Sequence, residues 1–224
     1  MADYVKWLGH AAFEINLDNK VILIDPWLST NPKAAVSPSE IKAVDIILVT
    51  HDHGDHLGDA VELAKRLNAT LVSVYEIASK TANMGVKNTV GMNVGGDVVV
   101  KGLKIVMTPA LHSSDTGTPC GFIVVGSKNT VYHAGDTGFF SDIKYYSKAY
   151  PIDVALIPIG SVFTMNPFMA ALFVSLFKPK IAIPMHYGTF DVLTGKPEEF
   201  SKHVSELSPE VKVVTLSPGD KIFL

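Results

Sequence analysis

The chain holds eight histidines, and three of them fall in one six-residue stretch, His51-Asp52-His53-Gly54-Asp55-His56. Imidazole and carboxylate donors suit divalent zinc, manganese, iron or nickel. In an extended turn, alternate residues can face one ion while their neighbours face another, so two adjacent sites are expected. A polar turn capping the next helix, with Asp55 as its cap, would not need three histidines. Four groups cannot fill two sites, so further ligands are required, and His112, Asp136 and His186 are the candidates. Taken singly, His112 reads as a loop residue beside Ser113 and Ser114, Asp136 as a turn acid before Thr137-Gly138, and His186 as a strand-end histidine. Their order and placement after the first motif favour ligation.

Two dications about 3.5–4 Å apart would let a bridging water lose its proton near neutral pH and attack a carbonyl or a phosphorus. The resulting metal-bound hydroxide is the nucleophile, and no protein nucleophile is needed. The sequence contains no G-x-S-x-G elbow and no phosphate-cradling glycine loop, and its one cysteine, Cys120 beside Gly121, reads as core.

The elements that must position these groups are short strands and helices. Tyr4 to Leu8, Ala12 to Leu17 and Val21 to Ile24, turning at Asp18-Asn19, predict strands that close on Asp25-Pro26. After a loop from Pro26 to Glu40, the apolar run Val44 to Val49 predicts a buried strand ending on Thr50-His51. Helices are expected over Leu57 to Leu67 and Glu76 to Met84, with a strand at Leu71 to Val74 between them. Val98 to Val100 and Leu103 to Thr108 predict a hairpin leading to the loop of His112. Phe122 to Val125 and Thr130 to His133, running into Asp136, repeat the layout of Phe13 to Asp25. Asp153 to Ile159 predicts a buried strand, and Asn166-Pro167 caps and starts an apolar helix through Phe177. Lys180 to Pro184, Val211 to Thr215 and Lys221 to Leu224 predict the last strands, with a helix over Pro197 to Leu207. Two similar halves of this kind predict an α/β fold, a four-layer αββα sandwich with the ligands at strand ends along one edge.

At 224 residues and 47% apolar, the chain is expected to form one domain over 1–224. A net charge of −3 gives no electrostatic footprint for nucleic acid. A single cysteine excludes thiolate-rich zinc sites. Met1 to Gly9 has no basic region ahead of an apolar run, so no secretion signal and a cytoplasmic protein are expected. The apolar stretch Phe168 to Phe177 is too short to cross a bilayer, which takes about 20 residues, so no membrane association is expected. A homo-oligomer is left open, with the apolar helix read as core rather than interface.

The ligand order HxHxDH, then single His, Asp and His at later strand ends, resembles that of the metallo-β-lactamase superfamily. The resemblance spans nearly the whole chain. It implies that His51, His53 and His112 hold one metal, Asp55, His56 and His186 the other, with Asp136 bridging. Trp7-Leu8-Gly9-His10-Ala11, Ile24-Asp25-Pro26, Tyr132-His133-Ala134-Gly135-Asp136-Thr137-Gly138 and Phe163-Thr164-Met165 are similar to the branch that contains L-ascorbate phosphate lactonase and many uncharacterised metal-dependent hydrolases. N-acyl phosphatidylethanolamine phospholipase D is a more distant likeness. That branch implies that His10 approaches the metal centre, as a group for substrate contact or proton transfer, and that Asp25 orients a ligand. Relatives commonly carry polar residues where this chain has Ser161-Val162-Phe163 and often charged residues where it has Asn166-Pro167-Phe168-Met169, which predicts a more apolar pocket wall.

The expected function is therefore hydrolysis of an ester, lactone or phosphoester bond in a small molecule, with two divalent ions, Zn2+ first and Mn2+, Ni2+ or Fe2+ as alternatives. Asp55, which could orient the water in a one-metal enzyme, and His10 are the expected catalytic groups beside the metals. Asp115 could assist the leaving group, although a solvated loop acid is its simpler reading. A phosphodiesterase or nuclease of the same fold would use the same ligands, but the acidic balance and lack of room for an RNA-gripping arm speak against it. A redox diiron protein would place Glu where His53 stands and need a flavin domain. A non-catalytic metal-binding module would be expected to lack ligands, and all seven are present.

Overall fold

The computed structural model describes residues 2–224. Its first half builds one mixed sheet from β1 (Tyr4–Gly9), β2 (Ala12–Leu17), β3 (Lys20–Ile24), β4 (Ile46–Leu48), β5 (Thr70–Val74) and β6 (Thr89–Met92), with α1 (Gly54–Leu57), α2 (Ala60–Leu67) and α3 (Tyr75–Asn83) between the later strands. The second half adds β7 (Asp97–Val100), β8 (Leu103–Pro109), β9 (Cys120–Val125), β10 (Thr130–His133), α4 (Ile143–Ala149), β11 (Val154–Pro158), α5 (Pro167–Ser175), β12 (Ile181–Met185), α6 (Pro197–Leu207) and β13 (Lys212–Val213). The last strand, β14 (Lys221–Phe223), returns to pair with β1, giving the sheet orders β14-β1-β2-β3-β4-β5-β6 and β13-β12-β11-β10-β9-β8-β7.

The two halves repeat one another. Antiparallel β2 and β3 are followed by parallel β4, as antiparallel β9 and β10 are followed by parallel β11. Side chains alternate across a strand, and the second sheet uses both of its faces. Phe122 and Val124 enter the core shared with the first sheet, while Ile123 between them enters the core under the helices. Leu156 and its neighbours Ala155 and Ile157 divide in the same way. Both faces are therefore covered, as the layered reading requires. Helix α5 is apolar all round because it lies inside this outer layer, with Ala170, Ala171, Phe173 and Val174 buried. Among the described residues no helix is long and apolar enough to cross a membrane.

Two local expectations are corrected, and two elements are new. The helix expected over Leu57 to Leu67 is broken into α1 and α2, because at Gly58 the chain turns with φ 39° and passes so close to Trp27 that a Cβ there would sit 2.5 Å from its Cα. Strand β6 and helix α4 had no expectation: β6 is four partly exposed residues around Gly91, and α4 buries only Ile143. The HxHxDH segment is not an extended turn throughout, since Asp55 and His56 lie on the single turn of α1 with His53 as its N-cap residue.

Candidate metal centre

The C-terminal ends of four strands deliver the ligand candidates to one edge: β4 leads to His51, β8 to His112, β10 to Asp136 and β12 directly to His186. The turn between β1 and β2 supplies His10. A register shift between Trp7 and Gly9 marks a bulge there, and His10 itself takes a left-handed φ of 57°, which turns its ring inward. Trp7 Nε1 donates to the His10 carbonyl at 2.9 Å and fixes that turn.

Asp25, fully buried at the end of β3, organises the HxHxDH segment. It accepts from the Thr50 amide at 2.8 Å and the Thr50 hydroxyl at 2.6 Å. His56 Nδ1 donates to the same carboxylate at 2.7 Å. The Thr50 hydroxyl, having given its proton to Asp25, accepts from His51 Nδ1 at 3.0 Å. One acid thus orients two imidazoles, directly and through a threonine, and leaves Nε2 of each as a bare lone pair facing inward, the arrangement a metal-binding histidine needs. Asp25 thus stands where it would orient two of the candidate ligands.

Asp136 sits where these lone pairs meet. Its Oδ2 lies 2.9 Å from His186 Nε2, 3.3 Å from His56 Nε2 and 3.6 Å from His112 Nε2. His51 Nε2 and His53 Nδ1 are 3.0 Å apart. Ligand atoms of His51, His53 and His112 form one cluster, those of His10, Asp55, His56 and His186 another, and those of His51, His56 and Asp136 a third that joins them, each within 4.8 Å. The structure thus brings together all seven candidate ligands and adds His10.

The donor set fits cations. His56 Nε2, both ring nitrogens of His186 and Asp136 Oδ1 are buried with no hydrogen-bond partner. Leaving buried polar atoms unpaired costs about 1–3 kcal/mol each, and a bound cation would satisfy them. Burial drives the His51 imidazole down to about 2 and pushes His112 below its ordinary range, so both offer lone pairs at neutral pH. Burial opposes ionisation of Asp136, yet His186 and His56 hold it well below the carboxylate range. Burial likewise disfavours charge on His56, but Asp136 and Asp25 on either side raise it well above its usual value. The two carboxylates thus favour positive charge at His56, which a cation on its Nε2 would supply in place of the proton.

His10 is fully buried. Its Nε2 faces Asp55 Oδ2 at 3.2 Å and its Nδ1 faces the Thr189 hydroxyl at 2.9 Å. Burial lowers it to about 4 against the pull of Asp55, so it is neutral and can donate to the carboxylate. Burial works against the Asp55 anion, but the His10 hydrogen bond and the nearby His56 keep it low. A cavity of about 320 Å³ opens over this floor, lined by His53, Asp55, His112, Ser113, Asp136, Phe163 and His186.

Sequence reasoning passed over Asp52 and His133. Asp52 points away from the ligands and gathers the loop that carries His112: Oδ1 accepts from the Ser114 hydroxyl and the amides of Asp115 and Thr116, and Oδ2 binds Lys80 Nζ at 2.7 Å. His133 Nε2 donates to the Ala11 carbonyl at 2.9 Å while its Nδ1 accepts from the Gly135 amide at 3.1 Å, so it ties the His10 turn to the Asp136 turn. The signal for His133 was its place in the Tyr132-to-Gly138 motif. Asp115 is an exposed loop acid that takes part through its amide. Cys120 is buried with its thiol pushed well up by burial, as a core residue should be.

Two stacked mixed sheets with histidines and carboxylates gathered on one edge define a metal-dependent hydrolase of the metallo-β-lactamase fold. A family model described as a beta-lactamase superfamily domain matches residues 20–187, and the chain belongs to that superfamily. It is 52% identical over 223 residues to a UPF0173 metal-dependent hydrolase of Caldivirga maquilingensis, covering 99% of this chain and 98% of the relative. A UPF0173 metal-dependent hydrolase of Methanopyrus kandleri is 53% identical over 225 residues, covering 96% and 97%. The solved structure of a novel metallo hydrolase from the hyperthermophilic archaeon Ignicoccus hospitalis aligns with a TM-score of 0.93 at 36% identity, over 100% of this chain and 99% of that one.

Proposed function

We propose that this chain holds two divalent cations and hydrolyses an ester, lactone or phosphoester bond of a small molecule. The observation that carries the reading is the convergence of three imidazole nitrogens, from His56, His112 and His186, on one oxygen of Asp136. A structural ion pair would use one histidine; three, with orphaned buried nitrogens beside them, suit a carboxylate shared between two cations. His51, His53 and His112 would hold one, Asp55, His56 and His186 the other, with Asp136 between them. Zinc suits this nitrogen-rich set, and manganese, nickel and iron are the alternatives. Such ions, when bound, supply a water acidic enough to ionise near neutral pH and a Lewis acid for the developing negative charge.

The chain's own residues do the rest. Asp25 and Thr50 fix the tautomers of His56 and His51, so that Nε2 and not Nδ1 faces the site. Asp55 presents its carboxylate to the cavity and is held from behind by His10 Nε2. His10 does not line that cavity, so it acts through Asp55: its Nε2–H sets the carboxylate's orientation, with Thr189 on its far nitrogen.

Metal analysis of the purified protein, followed by assays on lactones, thioesters, β-lactams and phosphodiesters after reconstitution with zinc or manganese, tests the reading. About two equivalents of metal and metal-dependent turnover on one bond class are expected. A folded protein with no affinity for either ion and no turnover would overturn it.

A further inference from the structure

The cavity above the ligands has an unusual rim. Phe163 lines it beside Asp136 and His186 yet is 53% exposed, and Val162 and Leu111 are 62% and 57% exposed. Val162 precedes Phe163 and Leu111 precedes His112 in the chain, so three exposed, large apolar residues stand at or directly beside positions that line the cavity. They are not loosely held. Thr137, the residue after Asp136, accepts the Leu111 amide on its hydroxyl at 2.9 Å and the Met165 amide on its carbonyl at 3.2 Å. Gly138 N then donates to the Leu111 carbonyl at 3.0 Å. The loops bearing Leu111 and Phe163 are thus bolted to the backbone that carries Asp136.

The presentation of the rim is also strained. Ser161 and Val162 both take left-handed conformations, with φ of 67° and 57°. For a β-branched residue such as valine this is a rare and costly state. Ser161 N to Met165 O at 3.1 Å and Phe163 N to Ser161 O at 2.6 Å close the loop on itself and hold it there. The strain does not serve burial, since Val162 and Phe163 are both more than half exposed. Strain of this kind persists where the surroundings impose it, and it concentrates at ligand clamps.

Charge decides what the rim would hold. The residues lining the cavity include no lysine or arginine, so apart from the cations themselves nothing greets a phosphate or carboxylate on the substrate. Lys33 lines a different cavity, on the side of Trp7 and Tyr187. Resting on the hydrolase reading above, we infer that Leu111, Val162 and Phe163 form a preorganised apolar lip that binds the hydrocarbon part of a neutral substrate, an ester, thioester or lactone with an unbranched acyl group, whose carbonyl then lies over Asp136. The lip sets specificity by acyl length, and the metal centre sets the bond that is cut.

The test is a series of p-nitrophenyl esters from acetate to octanoate with the zinc- or manganese-loaded protein. For each methylene that reaches the lip, kcat/KM is expected to rise about two- to fourfold. In Phe163→Ser the octanoate-to-acetate ratio is expected to collapse by at least tenfold, while Val99→Ser, an exposed valine on β7, keeps the wild-type ratio. A second measurement does not use activity: 1-hexanol titrated into metal-free protein with labelled methyl groups is expected to shift Val162 and Leu111 and not Val99. Ester turnover that is flat with chain length, or a preference for phosphorylated substrates, overturns the lip and leaves the hydrolase standing. No ester turnover in a metal-loaded protein counts against ester cleavage instead; the lip then stands if hexanol shifts Val162 and Leu111, and falls if it does not. A protein that light scattering shows to be multimeric, and that Phe163→Ser makes monomeric, would reassign the rim to contact between copies and overturn the inference.

Discussion

Asp52 Oδ1 accepts a hydrogen bond from the Ser114 hydroxyl at 2.7 Å, across 62 residues of sequence. The acid stands between two candidate metal-ligand histidines in the chain, and the serine stands two residues after a third. One carboxylate therefore sets the distance between the His51–His53 segment and the His112 loop. Its side chain is shut off from solvent while Lys80, its ion-pair partner, is partly exposed.

From this relationship, Asp52→Asn is expected to weaken the site of His51, His53 and His112 without touching a ligand. The amide has one acceptor oxygen where the carboxylate has two, so it cannot keep both the loop hydrogen bonds and Lys80. Loss of such an orienting partner typically costs about 10–100-fold in metal affinity. Chelator competition should show one of two sites weakened by that amount, with the other unchanged, and equal affinity at both sites in the variant would refute the role. Lys80→Met should have a smaller effect, because the exposed end of the pair is screened by water.

A pH-dependent contact ties the two halves together. Asp18, in the turn between β2 and β3, accepts from both the hydroxyl and the amide of Ser127 in the turn between β9 and β10. The Ser127 hydrogen bonds hold the Asp18 carboxyl below the usual range. A depressed carboxylate contributes stability that is present above the unfolded value of about 3.9 and is lost as pH falls through the folded value. Denaturation followed from pH 6 down to pH 3 should therefore show Asp18→Asn less stable at pH 6 and converging with wild type at the acid end. The contact is open to solvent, so the difference should stay within about 1 kcal/mol. A constant gap across that range would mean that the charge plays no part.

The candidate ligand set was legible because its chemistry is local: His51 to His56 is contiguous, and His112, Asp136 and His186 each follow a readable strand. The repeat of Phe13 to Asp25 in Phe122 to Asp136 was also readable, and it foretold the paired sheets. What stayed hidden depends on contacts between distant segments. The break at Gly58 comes from the approach of Trp27, and nothing in the spacing of Leu57 to Leu67 announces it. Asp52 reads as a spacer until Ser114 and Lys80 are folded against it. The likeness of Trp7 to Ala11 pointed to His10, but its hydrogen bond to Asp55 depends on the bulge at the end of β1, which strand periodicity does not mark. Helix α4, with one buried side chain, has too narrow an apolar face for the pattern to register.

Gly160 should tolerate no side chain. A Cβ there would lie 2.2 Å from the His186 carbonyl oxygen and 3.1 Å from its Nδ1, and backbone cannot yield as a flexible side chain would. Gly160→Ala is expected to displace His186, lower stability by about 1–3 kcal/mol and reduce bound metal toward one equivalent. Gly54→Ala is the matched control: it lies inside the HxHxDH segment, yet its Cβ would meet nothing within 4 Å. Urea denaturation with metal counting on both variants checks the contrast, and full metal content in Gly160→Ala would show that His186 is free to shift.

The last prediction separates a two-metal from a one-metal centre. His53 and Asp55 both line the cavity rather than the core, so His53→Ala and Asp55→Ala should each fold with near wild-type stability. If two cations share Asp136, each variant loses a ligand of a different one, and each should lose about 100-fold or more of turnover. Metal content should then fall by about one equivalent in both. If instead a single cation sits on His51, His53 and His112 while Asp55 only orients water, His53→Ala loses the metal and Asp55→Ala keeps it, although both lose rate. Metal content in the Asp55 variant is therefore the discriminating quantity. The contact of Asp55 Oδ2 with His10 at 3.2 Å and with His186 at 4.0 Å favours the first outcome, since a water-orienting base has no need of a second histidine set against it.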